Sequence, residues 1–301
     1  MRLVAWEEED GHSTWGIVGE HDRVWDGGLH TTRSFREAQE DLLAAPDPGA
    51  WLKSLGLPKD PTQWDLVGSD LARGHRRLLL PWHPPEVWAA GVTYEISEAA
   101  RLRESQGADF YARVYHAERP ELFFKSVGDR VRGPGEPVGL RLDAAWQVPE
   151  PEVAIVVGTR GQILGVTCGN DMSCRDIEGQ NPLYLPQAKI YNGSCALGPS
   201  VRLLWGDEVD KPRALSMRIQ RGRDIVFEGH SSTSLLVRSF KEMVDWLGRA
   251  YSVHPGTVLL TGTAIVTPDD FTLRPGDVVR IWVEGVGELE NLCETVGLPM
   301  T

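Results

Sequence analysis

The stretch that decides the fold is QVPEPEVAIVVGTRGQILGVTCGNDMSCRD, residues 147–176. Residues 153–157 are apolar, mostly β-branched and followed by a glycine, which is typical of a buried strand. A turn at Gly161 leads to a second apolar run at residues 163–168, and residues 169–171 are of the type that ends a strand in a loop. The pattern predicts a hairpin of two buried strands.

Acidic side chains are expected to meet at the open end of this hairpin. Glu150 and Glu152 point to the same face because strand residues two apart do so, and Pro151 between them predicts an edge or irregular start to the strand. Pairing of the two strands brings Asp171 back beside both glutamates. Converging carboxylates repel each other unless a cation neutralises them, and oxygen ligands favour Mg²⁺, with Mn²⁺ or Ca²⁺ as alternatives.

The acidic pair also has a simpler interpretation. On charge alone, a solvated strand face is the commoner explanation of two neighbouring glutamates. The residues that follow favour a functional site, since the next segment is rich in turn residues and carries further charged side chains, namely Arg175, Asp176, Glu178 and Lys189.

These residues resemble the core pattern of the fumarylacetoacetate hydrolase superfamily. That pattern is Glu-x-Glu on a strand, then Asn-Asp-x-Ser-x-Arg-Asp, a Lys and Leu-Gly-Pro. Here it stands as Glu150-Pro151-Glu152, residues 170–176, Lys189 and Leu197-Gly198-Pro199. The sequence between Asp176 and Pro199 is similar to one branch, the 2-keto-3-deoxy-D-arabinonate dehydratases. The similarity extends over most of the chain.

Fold and domains follow partly from pattern and partly from this resemblance. Many short strands with one clear long helix, predicted at residues 234–251, indicate a β-rich α+β chain. The resemblance implies a mixed β-sandwich roll, usually found in dimers or dimers of dimers, so a homodimer or homotetramer is expected. We predict a small N-terminal α+β domain over residues 1–81 and a fumarylacetoacetate hydrolase-like catalytic domain over residues 82–301.

The resemblance also implies roles for individual residues. It makes Glu150, Glu152 and Asp171 the metal ligands. It makes Glu121, within Pro-Glu-Leu-Phe-Phe-Lys, an acid/base residue and Lys189 a catalytic cation. Read in isolation, Glu121 and Lys125 would more often be a structural pair. The resemblance adds a substrate-binding set: Tyr94, Arg175, Glu178 and Thr263.

One departure from the superfamily pattern bears on the reaction. Relatives usually have His three residues after the tyrosine that corresponds to Tyr94, and this chain has Ser97 there. In the hydrolases that His belongs to the water-activating machinery for carbon–carbon bond cleavage, so its absence agrees with the dehydratase branch. The helix predicted at residues 95–110 would be a lid as in relatives, or a plain solvent-facing helix.

The expected reaction is therefore a metal-dependent dehydration. A 2-keto acid can chelate one divalent ion, which stabilises the enolate formed when the C3 proton leaves. The implied enzyme is a carbon–oxygen lyase that converts a 2-keto-3-deoxy-pentonate, such as 2-dehydro-3-deoxy-D-arabinonate, to 2,5-dioxopentanoate and water. Three alternatives stay open: a hydrolase of acylpyruvates or related diketo acids, a Schiff base formed by Lys189, and a non-catalytic sugar-acid-binding protein.

Whole-chain properties exclude other classes of protein. The chain has 301 residues and a net charge of −12, which argues against nucleic acid as a partner. No apolar run approaches the length of a membrane span, and the acidic start lacks a signal peptide's basic and apolar regions, so we expect no membrane partner and a cytoplasmic location. The four cysteines show no CxxC spacing, which favours reduced thiols over a zinc site: Cys168, Cys174, Cys195 and Cys293.

Overall fold

The computed structural model describes residues 1–19, 23–58, 76–94 and 117–297. The helix predicted at residues 95–110 lies outside these ranges. Within them the chain is β-rich, with two large sheets and short helices, so the predicted β-rich α+β class is confirmed. No helix in the described ranges is long and apolar enough to cross a membrane.

The strands of the described residues are β1 Arg2–Glu7, β2 Ser13–Val18, β3 Val24–Asp26, β4 Arg77–Leu78, β5 Glu86–Gly91, β6 Glu121–Val127, β7 Val138–Arg141, β8 Gln147–Val148, β9 Pro151–Val157, β10 Ile163–Asp171, β11 Ser173–Cys174, β12 Cys195–Leu203, β13 Ala214–Arg221, β14 Asp224–Ser232, β15 Val258–Thr263, β16 Val278–Val283 and β17 Gly287–Val296. The α-helices are α1 Gly27–His30, α2 Phe35–Ala44, α3 Pro48–Ser54, α4 Arg175–Gln180, α5 Leu185–Lys189 and α6 Phe240–Leu247. Short 3₁₀ helices lie at Gly128–Arg130, Pro182–Tyr184, Gly206–Glu208 and Thr233–Leu235.

Two sheets form the body of the protein. A ten-stranded sheet has the order β3-β2-β1-β12-β10-β9-β15-β5-β6, with β4 paired to β1. A five-stranded sheet has the order β14-β13-β16-β17-β7, and β8 pairs with β11 in a small separate ladder. The predicted hairpin, β9 and β10, lies near the middle of the large sheet, where both of its strands have neighbours.

The position of β9 between two cores explains why its sequence is continuously apolar. Val153 and Ile155 pack into a core shared with the five-stranded sheet, whereas Ala154 and Val156 pack into a second core under the N-terminal helices. A strand buried on both faces carries no polar alternation. Pro151, which cannot donate to the ladder, is the first residue of the strand, as its missing N–H requires.

The N-terminal segment covers the outer face of the large sheet with tryptophans. Trp15 lies 6.1 Å from Trp25 and 6.1 Å from Trp51 between ring centroids, and all three are buried. Helix α2 begins with a capping box in which Ser34 and Glu37 each bond the other's backbone N–H. This layer closes the second core.

The N-terminal strands continue the same sheet as the hairpin. β1 pairs antiparallel with β12, with Leu3 opposite Val201. The ten-stranded sheet therefore contains strands from both of the predicted domains. The domain boundary between residues 81 and 82 stays a prediction.

The end of the hairpin differs from the sequence prediction. Residues 169–171 belong to β10, whereas their composition predicts a loop. The reason is non-local: β10 pairs with β9 on one side and with β12 on the other as far as Asp171, and two ladders outweigh the turn preference of Gly-Asn-Asp.

The helix predicted at residues 234–251 is shorter in the structure. α6 begins only after Ser239, whose side chain accepts a hydrogen bond from the Glu242 N–H. Before that cap, the Val237 N–H donates to the Thr93 carbonyl oxygen over 3.1 Å, which holds the segment out of the helix. Leu235 is consequently outside the helix and 62% exposed.

Candidate active site

Strands β9 and β10 place three carboxylates at one point. Gly169 lies opposite Glu152 in the ladder, and the Asp171 N–H donates to the Glu150 carbonyl oxygen over 3.0 Å. One carboxylate oxygen from each of Glu150, Glu152 and Asp171 lies within 4.8 Å of the other two. The three side chains that the sequence predicts to meet therefore do meet; their role as metal ligands stays a prediction.

Buried cations surround this carboxylate cluster. Lys189 Nζ donates to Glu150 Oε2 over 2.5 Å and to Asp171 Oδ2 over 3.0 Å. Arg175 Nη2 donates to Glu150 Oε1 over 2.6 Å, and Lys125 Nζ forms an ion pair with Asp171 Oδ1. Because every one of these side chains is buried, the pairing is what keeps the charges compatible with the interior.

Burial and neighbouring charge both disfavour the ionised form of Glu152. Burial raises the pKa of its carboxyl well above the usual value, and the charges of Asp171 and Glu150 raise it further. The Gly262 N–H donates to Glu152 Oε2 over 2.6 Å, which offsets part of that effect without supplying a full charge. A positive ion at this point would remove the repulsion.

The donor set fits a hard divalent cation. Mg²⁺ binds carboxylate oxygens in octahedral geometry and usually keeps several positions for water and substrate. Three carboxylates gathered from one strand and the end of its neighbour can occupy one side of such an ion. All three side chains line the same cleft.

The ends of β5 and β15 complete the wall beside Glu152. Gly262 has φ +93°, and a Cβ placed there would lie 2.0 Å from Thr93 Oγ1. Thr93 Oγ1 in turn donates to the Thr261 carbonyl oxygen over 2.6 Å. Only glycine allows this close approach, and it is what aims the residue 262 N–H at Glu152.

Most of the predicted site residues line this one cleft. Those lining it are Glu121, Glu150, Glu152, Asp171, Arg175, Glu178, Lys189 and Thr263. Tyr94 is buried near Glu152; burial and the Glu152 charge raise the pKa of its hydroxyl, so it stays protonated. The structure brings the predicted residues together, and their individual roles stay proposals.

Comparison with known proteins places this site in a family. A family model for the fumarylacetoacetate (FAA) hydrolase C-terminal region matches residues 86–294, more than half of the chain. The chain belongs to the fumarylacetoacetate hydrolase family. The resemblance inferred from the Glu-x-Glu and Asn-Asp-x-Ser-x-Arg-Asp motifs is confirmed.

Relatives within the family are similar over most of their length. A probable 2-keto-3-deoxyxylonate dehydratase of Haloferax volcanii is 47% identical over 223 residues, 73% of this chain and 76% of the relative. The 2-dehydro-3-deoxy-D-arabinonate dehydratase of Saccharolobus solfataricus is 41% identical over 219 residues, 71% of this chain and 73% of the relative.

A solved structure of a family member has the same fold. It is a 2-keto-3-deoxy-D-arabinonate dehydratase complexed with magnesium and 2,5-dioxopentanoate. The two structures agree with a TM-score of 0.80 at 31% identity, over 99% of this chain and 100% of the other.

In the present protein, Glu121 owes its position to a glycine on the neighbouring strand. Glu121 of β6 lies opposite Gly91 of β5. A Cβ at position 91 would lie 2.0 Å from Glu121 Oε2, so the carboxylate occupies the space that a side chain would need. Any larger residue at position 91 must push Glu121 out of its place in the cleft.

Gly91→Ala is therefore expected to lower turnover by about 10²-fold while leaving the fold intact, because the group displaced is the flexible end of Glu121, the side chain predicted to act as acid/base. Steady-state kinetics with a thermal melt would measure both effects. Gly248→Ala is the matched control, since a Cβ there meets the Val244 carbonyl oxygen at an ordinary 3.5 Å. A Gly91→Ala enzyme as active as this control would contradict the placement of Glu121.

Sequence reasoning missed several residues that shape the site. Ser173 Oγ accepts a hydrogen bond from Lys189 Nζ over 2.6 Å, and the Phe123 ring centroid lies 5.5 Å from the same nitrogen. Read in isolation, the sequence favours a structural pair between Lys125 and Glu121. In the structure, Lys125 forms an ion pair with Asp171 and so belongs to the cluster. A signal existed for Ser173, which is part of the Asn-Asp-x-Ser motif; the reach of Lys125 depends on which strands become neighbours.

Proposed function

We propose that this chain is a metal-dependent hydro-lyase that removes water from a 2-keto-3-deoxy-pentonate, such as 2-dehydro-3-deoxy-D-arabinonate, to give 2,5-dioxopentanoate. The observation that carries the proposal is the buried cluster of Glu150, Glu152 and Asp171 with Lys189 in the same cleft. Two relatives more than 40% identical are named as dehydratases of such acids, which supports the same substrate class.

We propose Mg²⁺ as the cofactor, with Mn²⁺ or Ca²⁺ able to take its place. Glu150, Glu152 and Asp171 would hold it, and their oxygen-only donor set supports a hard ion. When bound, the ion polarises the keto group of a 2-keto acid and makes the neighbouring carbon more acidic. The magnesium complex of a structural relative supports this choice.

The side chains around the cluster supply the proton transfers and the binding. Glu121, at the cleft wall, takes the C3 proton or protonates the departing C4 hydroxyl. Lys189 stays cationic among its carboxylate partners and stabilises negative charge on the keto oxygen. After water leaves, a proton moves from C5 to C3 of the C3=C4 enone, and the resulting C4=C5 enol takes a proton at C4 and loses its hydroxyl proton to become the C5 aldehyde.

Substrate binding is assigned to the remaining side chains of the site. We propose that Arg175 and Thr263 bind the substrate carboxylate, since both can donate hydrogen bonds. Glu178 and Tyr94 would bind hydroxyl groups, Glu178 as an acceptor and Tyr94 as a protonated donor.

The experiment that tests the function compares substrates by product mass. The purified protein is incubated with Mg²⁺ and a panel of 2-keto-3-deoxy-pentonates and hexonates. We expect a pentonate to lose one water, and EDTA to stop the reaction. Two smaller fragments would instead indicate a carbon–carbon hydrolase. Activity that survives EDTA and is lost on borohydride treatment would indicate a Schiff base at Lys189.

We also propose that the protein works in the cytoplasm as a homodimer or homotetramer. All four cysteines are buried and free, which supports a reducing compartment. Large apolar side chains on the five-stranded sheet are partly exposed, which supports a subunit contact: Ile225, Trp282 and Leu292. Size-exclusion chromatography with light scattering measures the oligomeric state.

A further inference from the structure

Lys125 is a fully buried cation for which the reaction as derived has no use. It lies in β6, four residues after Glu121, and its exposed fraction is 0%. A buried ammonium is costly unless its donors are satisfied, so its partners indicate what it does.

Lys125 Nζ contacts three oxygens on two separate segments, through two hydrogen bonds and one ion pair. Nζ pairs with Asp171 Oδ1 and donates to the Met172 carbonyl oxygen over 2.9 Å, both at the end of β10. It also donates to the Lys189 carbonyl oxygen over 2.6 Å, at the last residue of α5. Two of the three donors of the ammonium are therefore bonded to backbone carbonyls, and its charge is paired with Asp171.

We propose that Lys125 is a positioning residue that fixes the distance between the Asp171 carboxylate and the Lys189 side chain. This inference rests on the proposed function, since it assigns Asp171 to the metal and Lys189 to the reaction. Lys125 does not line the cleft; it acts through Asp171 and Lys189, which do.

Charge neutralisation of Asp171 alone does not account for the contacts. Two of the three Lys125 donors go to backbone carbonyls, one beside Asp171 and one on Lys189 itself. The last carbonyls of a helix have no N–H partner within the helix, and here the Lys125 ammonium supplies one to α5. The Lys125 ammonium therefore links the C-terminal end of α5 to the end of β10.

This link between α5 and β10 determines where the Lys189 ammonium lies. Lys189 Nζ reaches Glu150 Oε2 over 2.5 Å and Asp171 Oδ2 over 3.0 Å, and both contacts require that the end of α5 stay close to β10. Misplacement of a catalytic group by about 1 Å can cost about 10²-fold in rate. Lys125 is in the right place to prevent such a shift.

Two variants separate positioning from charge. Lys125→Met keeps much of the length without the charge, and Lys125→Arg keeps the charge in a larger head group that cannot reproduce both bonds to the backbone carbonyls. Binding of Mn²⁺ is measured by electron paramagnetic resonance, and kcat and KM are measured at saturating Mn²⁺. Lys241→Met is the control, since its ammonium pairs with Asp245 on the exposed side of α6.

We expect Lys125→Met to weaken Mn²⁺ binding by about 10–100-fold, as removal of a group that orients a metal ligand does. Lys125→Arg is expected to bind Mn²⁺ nearly as well as the wild type but to lose about 10-fold or more in kcat, with KM little changed. Lys241→Met should match the wild type in both.

Three results would overturn the inference. The first is full recovery of kcat in Lys125→Arg, which would leave only a charge role. The second is wild-type Mn²⁺ affinity in Lys125→Met. The third is failure of both variants to fold, which would make Lys125 a residue of the fold alone. If Lys125→Met alone is insoluble, Lys125→Arg decides. The Mn²⁺ measurement uses no substrate, so it still tests Lys125 if the wild type dehydrates none of the sugar acids and the proposed function fails.

Discussion

Glu152→Gln is expected to lower Mg²⁺-dependent dehydration by about 10³-fold or more, since metal-ion assistance accounts for several kcal/mol of a barrier and each 1.4 kcal/mol is about tenfold. Glutamine keeps the size of the side chain and can still accept the Gly262 N–H at the position of Oε2. What it loses is the charge that we propose holds the ion. Kinetics over a range of Mg²⁺ concentrations measures this loss.

The same substitution is expected to leave the metal-free protein as stable as the wild type or more so. The raised pKa of Glu152 means that its ionised form is disfavoured in the folded state, by burial first and then by Asp171 and Glu150. A group whose pKa is raised by folding destabilises the fold at pH values above its unfolded pKa, and glutamine removes that cost. The melting temperature in EDTA should not fall, and added Mg²⁺ should no longer raise it.

Glu290→Gln is the control for this prediction. Glu290 is exposed and pairs with Arg280 over 2.6 Å, and such surface pairs contribute about 0–1 kcal/mol. Its turnover and its response to Mg²⁺ should match the wild type. Unchanged Mg²⁺-dependent turnover in Glu152→Gln would remove Glu152 from the proposed ligands.

Lys189→Met is expected to have the opposite effect on stability and a similar effect on rate. Removing the ammonium leaves Glu150 and Asp171 buried with less positive charge, and breaking a buried ion pair in this way costs about 3–5 kcal/mol. Turnover should fall by about 10³-fold, the upper range for removing one group that stabilises an oxyanion.

Added Mg²⁺ should restore part of the stability that Lys189→Met loses, because a divalent ion replaces the missing positive charge beside the same carboxylates. Urea unfolding with and without Mg²⁺ measures this recovery. Lys211→Met is the control, since Lys211 is exposed and pairs with Glu208 at the surface. A Lys189→Met protein that keeps its rate, or whose loss of stability Mg²⁺ does not reduce, would contradict the site as described.

Sequence alone could predict the centre of the fold because its signals there are local. The apolar run at residues 153–157, the glycine turn and the spacing of Glu150 and Glu152 define a buried hairpin with two carboxylates on one face. Pairing of the two strands then places Asp171 beside them. Each of these steps involves residues close together in the chain.

The rest of the site depends on the order of strands in the large sheet, which local pattern does not determine. β15 lies between β9 and β5, and this brings the Gly262 N–H to Glu152 across 110 positions of sequence. β6 lies next to β5, and this brings Lys125 into contact with Asp171 and with the Lys189 carbonyl oxygen. The late start of α6 has a similar cause, since the Val237 N–H bonds to Thr93 from a distant strand end.

The most direct test of the central claim is the position of a bound ion in crystals grown with MnCl₂. An anomalous difference map should show a strong peak at about 2.0–2.6 Å from one oxygen of each of Glu150, Glu152 and Asp171. A peak at another position, or no peak in crystals of active enzyme, would contradict the claim that these three side chains hold the catalytic ion.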